Sequence, residues 1–508
     1  MTDNDPGAER ADGDLRAAPS VPVRYRLAPL FGLVALGIVP VAALAGLLVW
    51  SDAVADEYEA SESVQAETFE PSTEPTPALT TSVLDLRRAP ADLARIGAGN
   101  QLADAFEQLA AFVDARSCLA VSIDGRAVSS WNGDVPVLPA STNKLLVGGV
   151  AIEVLGADFR FTTSAAAPAP VDGVIEGDLY LVGGGDPSLV ASGAPLGDDV
   201  PAASTALDAL ADAVVGAGIT SVRGAVVGDA SRYDDEYVNP TWEGGVAYVD
   251  AGPIGGLVVN DGIVVGRSAR QRDPGEAAAR EFTRLLQDRG VSVSGGWQAG
   301  PLDPAVPVIA SIESPPLATI VSDMLTRSDN DTAEMLVKEI GVATAQAGTR
   351  AAGLDGMFQS LETQGVPMTG VVLRDGSGLS TTNRVTCAAV LEVLQLGRGG
   401  PIDAGLPVAA LSGTLANEFQ DSDMVGRLRA KTGTLGNPPV EADPPAVKGL
   451  AGYVDPAAGP GPGTIEFVVI VNSPEINDPE LYQPLWKALG ERFATYPAGP
   501  SSDSLGPR

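Results

Sequence analysis

Three short strings with unequal spacing constrain the fold of this chain more than any other feature. Ser141-Thr142-Asn143-Lys144 precedes a long apolar run, Ser328-Asp329-Asn330 precedes a segment with helical spacing, and Lys431-Thr432-Gly433 lies in a strand-like segment. Residues 145–327 separate the first two strings, which is far more chain than one crossover between neighbouring elements needs. If the three strings meet in space, a separate unit is inserted between the first and the second.

The patterns around the strings predict the elements that carry them. The apolar run 145–155 predicts a helix that opens at or next to Ser141. Residues 118–128 predict a β-hairpin, and further helices are predicted over residues 102–113, 317–324, 331–340 and 479–493. The third string and the segments 448–454 and 465–471 predict three adjacent antiparallel strands. The sequence therefore predicts an α/β (α+β) catalytic unit, an antiparallel sheet flanked by helices, from residues 95–160 and 313–496.

The stretch between the two catalytic parts has a different character. Short strand-like segments at 174–182, 221–227 and 262–265 alternate with glycine turns. We therefore predict a β-rich inserted domain, or more than one, over residues 161–312.

The N-terminal region predicts an exported protein. Residues 27–50 carry no charge and follow Arg24 and Arg26, which predicts a transmembrane helix or signal-anchor with the preceding tail, 1–26, disordered in the cytoplasm. A signal cleaved after Ala55 is the competing interpretation. Residues 51–94 resemble an extracytoplasmic linker and 497–508 a flexible tail. In an oxidising compartment Cys118 and Cys387 either form a disulfide or remain two buried thiols.

Composition restricts the chemistry. The chain has no histidine and only two cysteines, which excludes a Ser-His-Asp triad and a zinc site of Cys and His, although an all-oxygen Ca²⁺ or Mg²⁺ site is not excluded. We expect no cofactor and no metal. A net charge of −33 argues against a nucleic-acid partner. If a serine is activated here, the base is a lysine or a carboxylate, and two of the five lysines, Lys144 and Lys431, fall within the strings.

The first string suits a serine nucleophile with a lysine base. Residues i and i+3 share a helix face, so the Ser141 hydroxyl and the Lys144 amine come within hydrogen-bond reach. We expect burial and the charge of Lys431 to hold Lys144 neutral. The ordinary alternative is a surface helix that contains this pattern by chance.

The other two strings also admit ordinary explanations. Ser328 offers a hydroxyl that relays a proton to a leaving amine, and Asn330 an amide that orients a substrate, yet the same string favours a helix N-cap. Lys431, Thr432 and Thr434 offer an ammonium and two hydroxyls to a substrate carboxylate, and Gly433 permits close approach. The alternative is a strand with solvated side chains. Order and spacing together make the functional interpretation the stronger one.

The chain from about Arg95 to Ala498 resembles the D-alanyl-D-alanine carboxypeptidase/endopeptidase family of class C low-molecular-mass penicillin-binding proteins. The three strings carry this resemblance, as do GDLYLVGGGDP at 177–187, GDAS at 228–231, NDG at 260–262 and DGSGLS at 375–380. It implies a β-lactamase/transpeptidase-like catalytic domain that acts on peptidoglycan stem peptides and is inhibited by β-lactam antibiotics.

The resemblance also implies a role for each residue. Ser141 is acylated, Lys144 is the base, and Ser328 and Asn330 assist. Lys431, Thr432, Gly433 and Thr434 form the substrate-binding strand, and the N–H groups of Ser141 and Thr434 form the oxyanion hole.

Two other functions compete with this interpretation. A class A β-lactamase needs a deacylating glutamate, and the family pattern Glu-x-x-x-Asn is absent between the second and third strings. A non-catalytic cell-wall-binding or sensor protein needs no reactive side chains, whereas all of them are present here. We therefore favour an exported serine-type carboxypeptidase/endopeptidase.

Overall fold

Two distant stretches of sequence build one antiparallel sheet. The computed structural model describes residues 89–109, 115–193, 203–242, 245–436, 445–456 and 463–496. In strand order the sheet contains β13 (Leu428–Leu435), β14 (Val447–Val454), β15 (Ile465–Asn472), β1 (Cys118–Ile123) and β2 (Arg126–Trp131). All neighbouring pairs are antiparallel, which confirms the predicted hairpin and the three predicted C-terminal strands.

Helices cover both faces of this sheet. They are α1 (Ala89–Leu109), α2 (Lys144–Leu155), α5 (Leu317–Arg327), α6 (Asn330–Ala345), α7 (Arg350–Thr363), α8 (Cys387–Gly397), α9 (Pro401–Ala404) and α10 (Pro479–Ala494). The four helices predicted at 145–155, 317–324, 331–340 and 479–493 are confirmed. Helix α1 begins earlier than predicted, inside the stretch interpreted as a linker, and residues 110–113 of the predicted helix lie outside the described residues.

Alternate residues of the strands point to two different cores. Ala451 and Tyr453 of β14 join the core formed with α2, α5, α6 and α8. Leu450 and Val454 of the same strand join the core formed with α1 and α10. Because successive side chains of a strand point to opposite faces, a strand that is buried on both faces becomes apolar throughout. This explains why β14 and β15 are almost continuous apolar runs.

Residues between the two catalytic parts form sheets of their own. Strands β3 (Thr162–Ala166) and β12 (Val308–Glu313) pair antiparallel and bring the two ends of the stretch together. They belong to the five-stranded sheet β11-β9-β5-β3-β12, with β5 (Leu179–Val182), β9 (Val226–Asp229) and β11 (Trp297–Ala299) parallel to one another. Smaller sheets contain β4 (Val174–Ile175), β8 (Ser221–Val222) and β10 (Ser292–Val293), and β6 (Leu189–Val190) with β7 (Thr205–Ala206). Helices α3 (Leu207–Gly216) and α4 (Pro274–Asp288) pack on them.

One predicted strand of this region is wrong. Residues 260–262 form a 3₁₀ turn rather than the start of a strand, and Ile263 contributes only an isolated bridge to Arg270. Asn260, Asp261 and Gly262 all have positive φ, between 52° and 77°. The left-handed region is incompatible with an extended strand, so the glycine here makes a turn.

A disulfide links the two catalytic parts across the sheet. Cys118 at the start of β1 and Cys387 at the start of α8 are bonded and fully buried. The sequence left this pairing open, and the structure shows it. None of the helices in the described ranges has the length and apolarity that a bilayer crossing requires, and the segment 27–50 lies outside those ranges.

Candidate active site

Ser141 lies in a tight turn directly before helix α2. Residues Ala140–Asn143 form one 3₁₀ turn, in which the Thr142 hydroxyl donates to the Pro139 carbonyl at 2.7 Å. Ala140 is buried with a φ of 47°, a backbone conformation that non-glycine residues rarely adopt. The turn therefore holds Ser141 in a fixed position at the helix N-terminus, as the sequence predicts.

Lys144 is fully buried and points back to this serine. Its Nζ atom lies 3.0 Å from Ser141 Oγ, 2.7 Å from Asn330 Oδ1 and 2.7 Å from the Ser377 carbonyl oxygen. An ammonium has three N–H donors, so these three acceptors use all of them. The lysine is therefore held in one geometry beside the serine hydroxyl.

The three residues of the second string serve different purposes. Ser328 follows α5 in the left-handed conformation, with φ of 64°, and its hydroxyl accepts from Lys431. Asp329 is the N-cap of α6 and accepts from the Thr332 N–H. Asn330 faces Lys144 with its oxygen and donates with its nitrogen to the Asp250 carbonyl. The capping interpretation therefore applies to Asp329, while Ser328 and Asn330 contact the two lysines.

Strand β13 carries the third string along the edge of the sheet. Lys431 is fully buried and donates to Ser328 Oγ and to the Thr432 carbonyl, both at 2.8 Å. A Cβ atom on Gly433 would lie 2.9 Å from the Pro139 oxygen and 3.2 Å from Thr142 Cγ2. Only glycine therefore lets this strand approach the Ser141 turn so closely.

The two hydroxyls of this strand lie on its other face. Thr432 donates to Thr414 Oγ1 at 2.8 Å, and the exposed Thr434 accepts from Lys448 at 3.2 Å. Thr414 and Lys448 were not singled out by the sequence patterns, because neither lies in one of the three strings.

Burial changes the protonation of both central lysines. It lowers the pKa of Lys144 to about 8, although Asp329, Asp375, Glu334 and Asp331 raise it. Burial, followed by the charge of Lys144, lowers the pKa of Lys431 well below its usual value. The predicted cause of the lowered pKa of Lys144 is therefore only partly correct. Burial acts as predicted, but the positive charge acts on Lys431, because Lys144 is surrounded by carboxylates.

A loop at residues 375–378 completes the surroundings of Lys144. Glu334 Oε1 accepts from the N–H groups of Gly376 and Ser377 at 2.9 and 2.7 Å, which turns the Ser377 carbonyl toward Lys144. Burial, followed by the charge of Asp375, raises the pKa of Glu334 to about 7. Gly378 has φ of 86°, and a Cβ there would lie 1.9 Å from the Ala140 oxygen. The string at 375–380 signals this loop in the sequence but not its function.

The region between the two catalytic parts also reaches the site. Trp242 Nε1 donates to Asp375 Oδ2 at 2.9 Å, and the Asp250 carbonyl accepts from Asn330. Two ion pairs, each between a buried residue of α6 and a half-buried partner, join this region to that helix: Asp331 with Arg270 and Lys338 with Asp234. Sequence patterns could not reveal these contacts, which join residues far apart in the chain.

The arrangement combines a serine, a buried lysine and a second lysine joined to a second serine. Desolvation favours the neutral form of a lysine, and a neutral amine beside a hydroxyl accepts its proton. Such a site supports attack of Ser141 Oγ on a carbonyl carbon without histidine.

Comparison with known proteins agrees with this chemistry. The model of the D-Ala-D-Ala carboxypeptidase 3 (S13) family matches residues 100–279 and 265–486. The chain belongs to this family. The membership confirms the family that the sequence resembles, and the chain is a serine-type peptidase.

Relatives of this S13 peptidase come from several bacteria. It is 31% identical over 458 residues to a D-alanyl-D-alanine carboxypeptidase of Actinomadura sp. strain R39, covering 73% of this chain and 79% of that protein. It is 32% identical over 334 residues to a carboxypeptidase of Mycobacterium tuberculosis, covering 59% of this chain and 66% of that protein.

Solved structures confirm the predicted fold class. Penicillin-binding protein 4 of Haemophilus influenzae aligns with a TM-score of 0.63 and 20% identity, covering 77% of this chain and 99% of that structure. The same protein in complex with a β-lactam aligns with a TM-score of 0.59 and 19% identity, over 77% and 99% of the two chains.

Proposed function

We propose that this S13 peptidase removes the terminal D-Ala from peptidoglycan stem peptides through an acyl-enzyme on Ser141. The distance of 3.0 Å between Lys144 Nζ and Ser141 Oγ is the observation that carries the proposal. Family membership and the absence of histidine support it.

In the first step Ser141 Oγ attacks the carbonyl carbon of the penultimate D-Ala. Neutral Lys144 takes the hydroxyl proton, and the N–H groups of Ser141 and Thr434 stabilise the oxyanion. The C–N bond then breaks. A proton reaches the leaving amine through Ser328 Oγ, which lies 2.8 Å from Lys431 Nζ.

In the second step water attacks the ester and Lys144 again accepts a proton. The acyl group leaves as a shortened peptide and Ser141 regains its hydroxyl. Thr432, Gly433 and Thr434 hold the substrate, with the carboxylate of the leaving D-Ala at the two hydroxyls and Asn330 beside its backbone. A β-lactam follows the first step and remains bound as the acyl-enzyme, which accounts for inhibition.

Labelling with a fluorescent penicillin tests the nucleophile. We expect the wild type to be labelled, mass spectrometry to place the adduct on Ser141, and Ser141→Ala to remain unlabelled. Ser130→Ala, which changes an exposed serine of β2, is the matched control and should label normally. Labelling that survives in Ser141→Ala contradicts the assignment. Products from monomeric and cross-linked muropeptides separate carboxypeptidase from endopeptidase activity.

We further propose that the peptidase acts outside the cell membrane, anchored by residues 27–50. The uncharged run after Arg24 and Arg26 supports this location, as does the disulfide between Cys118 and Cys387. In cells, we expect the full chain to remain in alkali-washed membranes and its catalytic part to be accessible to added protease. Release into the medium with a new N-terminus after Ala55 would instead show cleavage.

A further inference from the structure

A third lysine lies next to the substrate-binding strand. In the antiparallel pair of β13 and β14, Lys448 stands directly opposite Thr434. Side chains of directly opposed residues lie on the same face of a sheet, within contact distance. Lys448 Nζ accordingly donates to Thr434 Oγ1 at 3.2 Å.

A tyrosine of helix α10 holds this lysine in place. Lys448 Nζ lies 3.8 Å from the centre of the Tyr482 ring, a cation–π contact. Tyr482 Oη donates to Glu418 Oε1 at 2.8 Å. Burial, followed by this hydrogen bond, raises the pKa of Tyr482 to about 12, so the phenol remains a neutral donor. The ring and the threonine together fix the ammonium beside the strand.

We propose that Lys448 is a positioning residue that acts through Thr434 and makes the site selective for substrates with a carboxylate next to the scissile amide. The inference rests on the proposed function, because it needs Thr434 at the substrate carboxylate. It adds a cation that lies in none of the three strings.

The hydrogen-bond direction gives the physical reason. A hydroxyl that accepts from an ammonium still has its own O–H to donate, and the cation makes that O–H a stronger donor. A carboxylate is an acceptor only, so it suits this free O–H. The Thr432 hydroxyl differs, because its O–H donates to Thr414 and has to leave that acceptor before it can donate to the carboxylate.

The charge around Lys448 supports the same conclusion. The chain carries a net charge of −33, which opposes the approach of an anionic substrate. Within the described ranges no salt bridge joins Lys448 to a carboxylate, since its contacts are a neutral hydroxyl and a neutral ring. No direct partner therefore neutralises its positive charge there, although burial lowers the pKa of Lys448 and the Glu418 carboxylate acts in the opposite direction.

Steady-state kinetics on a D-Ala-D-Ala-terminated peptide tests the role. We expect Lys448→Met to raise KM by roughly tenfold, the usual effect of losing one hydrogen bond from a charged group, with a smaller change in kcat. Lys448→Arg keeps the charge and should restore KM to within about threefold. Lys487→Met removes an exposed lysine of α10 and is the matched control for net charge. Unchanged KM in Lys448→Met overturns the inference, as does a fall in kcat alone accompanied by a lower Tm.

A double-mutant cycle tests the route through Thr434. Thr434→Val removes the hydroxyl that connects Lys448 with the substrate, so adding Lys448→Met to it should raise KM no further. Additive effects would show that Lys448 acts independently of Thr434. Penicillin labelling of Ser141 in the wild type shows whether a negative result contradicts this inference or the proposed function. If the wild type is labelled but Lys448→Met has unaltered kinetics, only this inference is contradicted. If the wild type is not labelled, the proposed function is contradicted.

Discussion

The two faces of strand β13 differ in burial and in chemistry. On one face Lys431 is fully buried and Gly433 packs against the Ser141 turn. On the other face Thr434 is exposed and bonded to Lys448. Alternate residues of a strand point in opposite directions. Residues 431–434 therefore supply a buried face for proton transfer and a solvent-exposed face for anion binding. Burial, more than residue type, decides what each lysine does.

Lys144→Arg is the strongest test of the buried side. Arginine keeps the positive charge but stays protonated, so it cannot accept the Ser141 proton. We expect the rate of acylation by penicillin to fall by about 1,000-fold, within the range that general base catalysis contributes. Stopped-flow labelling measures this rate, and Lys487→Arg on the surface is the control. Near-normal acylation by Lys144→Arg would remove Lys144 as the base.

The pH dependence of acylation should separate the two faces. Only neutral Lys144 can act as base, and its pKa is lowered to about 8. The acylation rate should therefore rise about tenfold per pH unit well below pH 8 and level off above it. Lys448→Met should leave the midpoint unchanged, because Lys448 lies on the other face. A rate that is flat between pH 6 and 9 would contradict a neutral lysine base.

Gly433→Ala tests how closely the two parts of the site must approach. The added Cβ would meet the Pro139 oxygen at 2.9 Å and the Thr142 side chain, so the strand or the Ser141 turn has to move. A misfit of this kind costs about 1–3 kcal/mol, and we expect acylation to slow by roughly tenfold or more. Gly99→Ala in helix α1 meets nothing within 4 Å and serves as the control. Equal rates for the two variants would show that the close approach is unimportant.

The sequence could predict the elements and residues that follow from local patterns, but not those that depend on tertiary contacts. Strands β14 and β15 and helices α2, α5, α6 and α10 follow from local periodicity, and the three strings mark the residues that converge. The sequence could not identify Glu334 and the Ser377 carbonyl as part of the site. Glu334 resembles an ordinary residue of a helix, and the Ser377 carbonyl belongs to the backbone. Trp242 and Asp250 reach the site only through tertiary packing. The strand predicted at 262–265 failed because consecutive positive φ values override its apolar pattern.

Stability against pH should show two opposite slopes. Burial raises the pKa of Glu334 and of Asp261 to about 7, so the folded chain binds more protons than the unfolded chain between about pH 4 and pH 7. Stability therefore falls as pH rises through this window. The pKa of Lys144 is lowered from 10.5 to about 8, so the folded chain binds fewer protons between these values. Stability then rises with pH across that second window.

We accordingly expect Tm to pass through a minimum, where the fall caused by the buried carboxyls meets the rise caused by Lys144 and by Lys431, whose pKa burial also lowers. Thermal unfolding of the full chain in buffers from pH 4 to pH 10 measures it. Glu334→Gln should flatten the acid-side fall, because glutamine does not titrate, and Lys144→Met should flatten the alkaline-side rise. A Tm maximum near pH 7.5 would mean that these buried groups do not dominate the difference in bound protons between the folded and unfolded chain. The contrast between the buried and exposed faces of β13 would then need a cause other than burial.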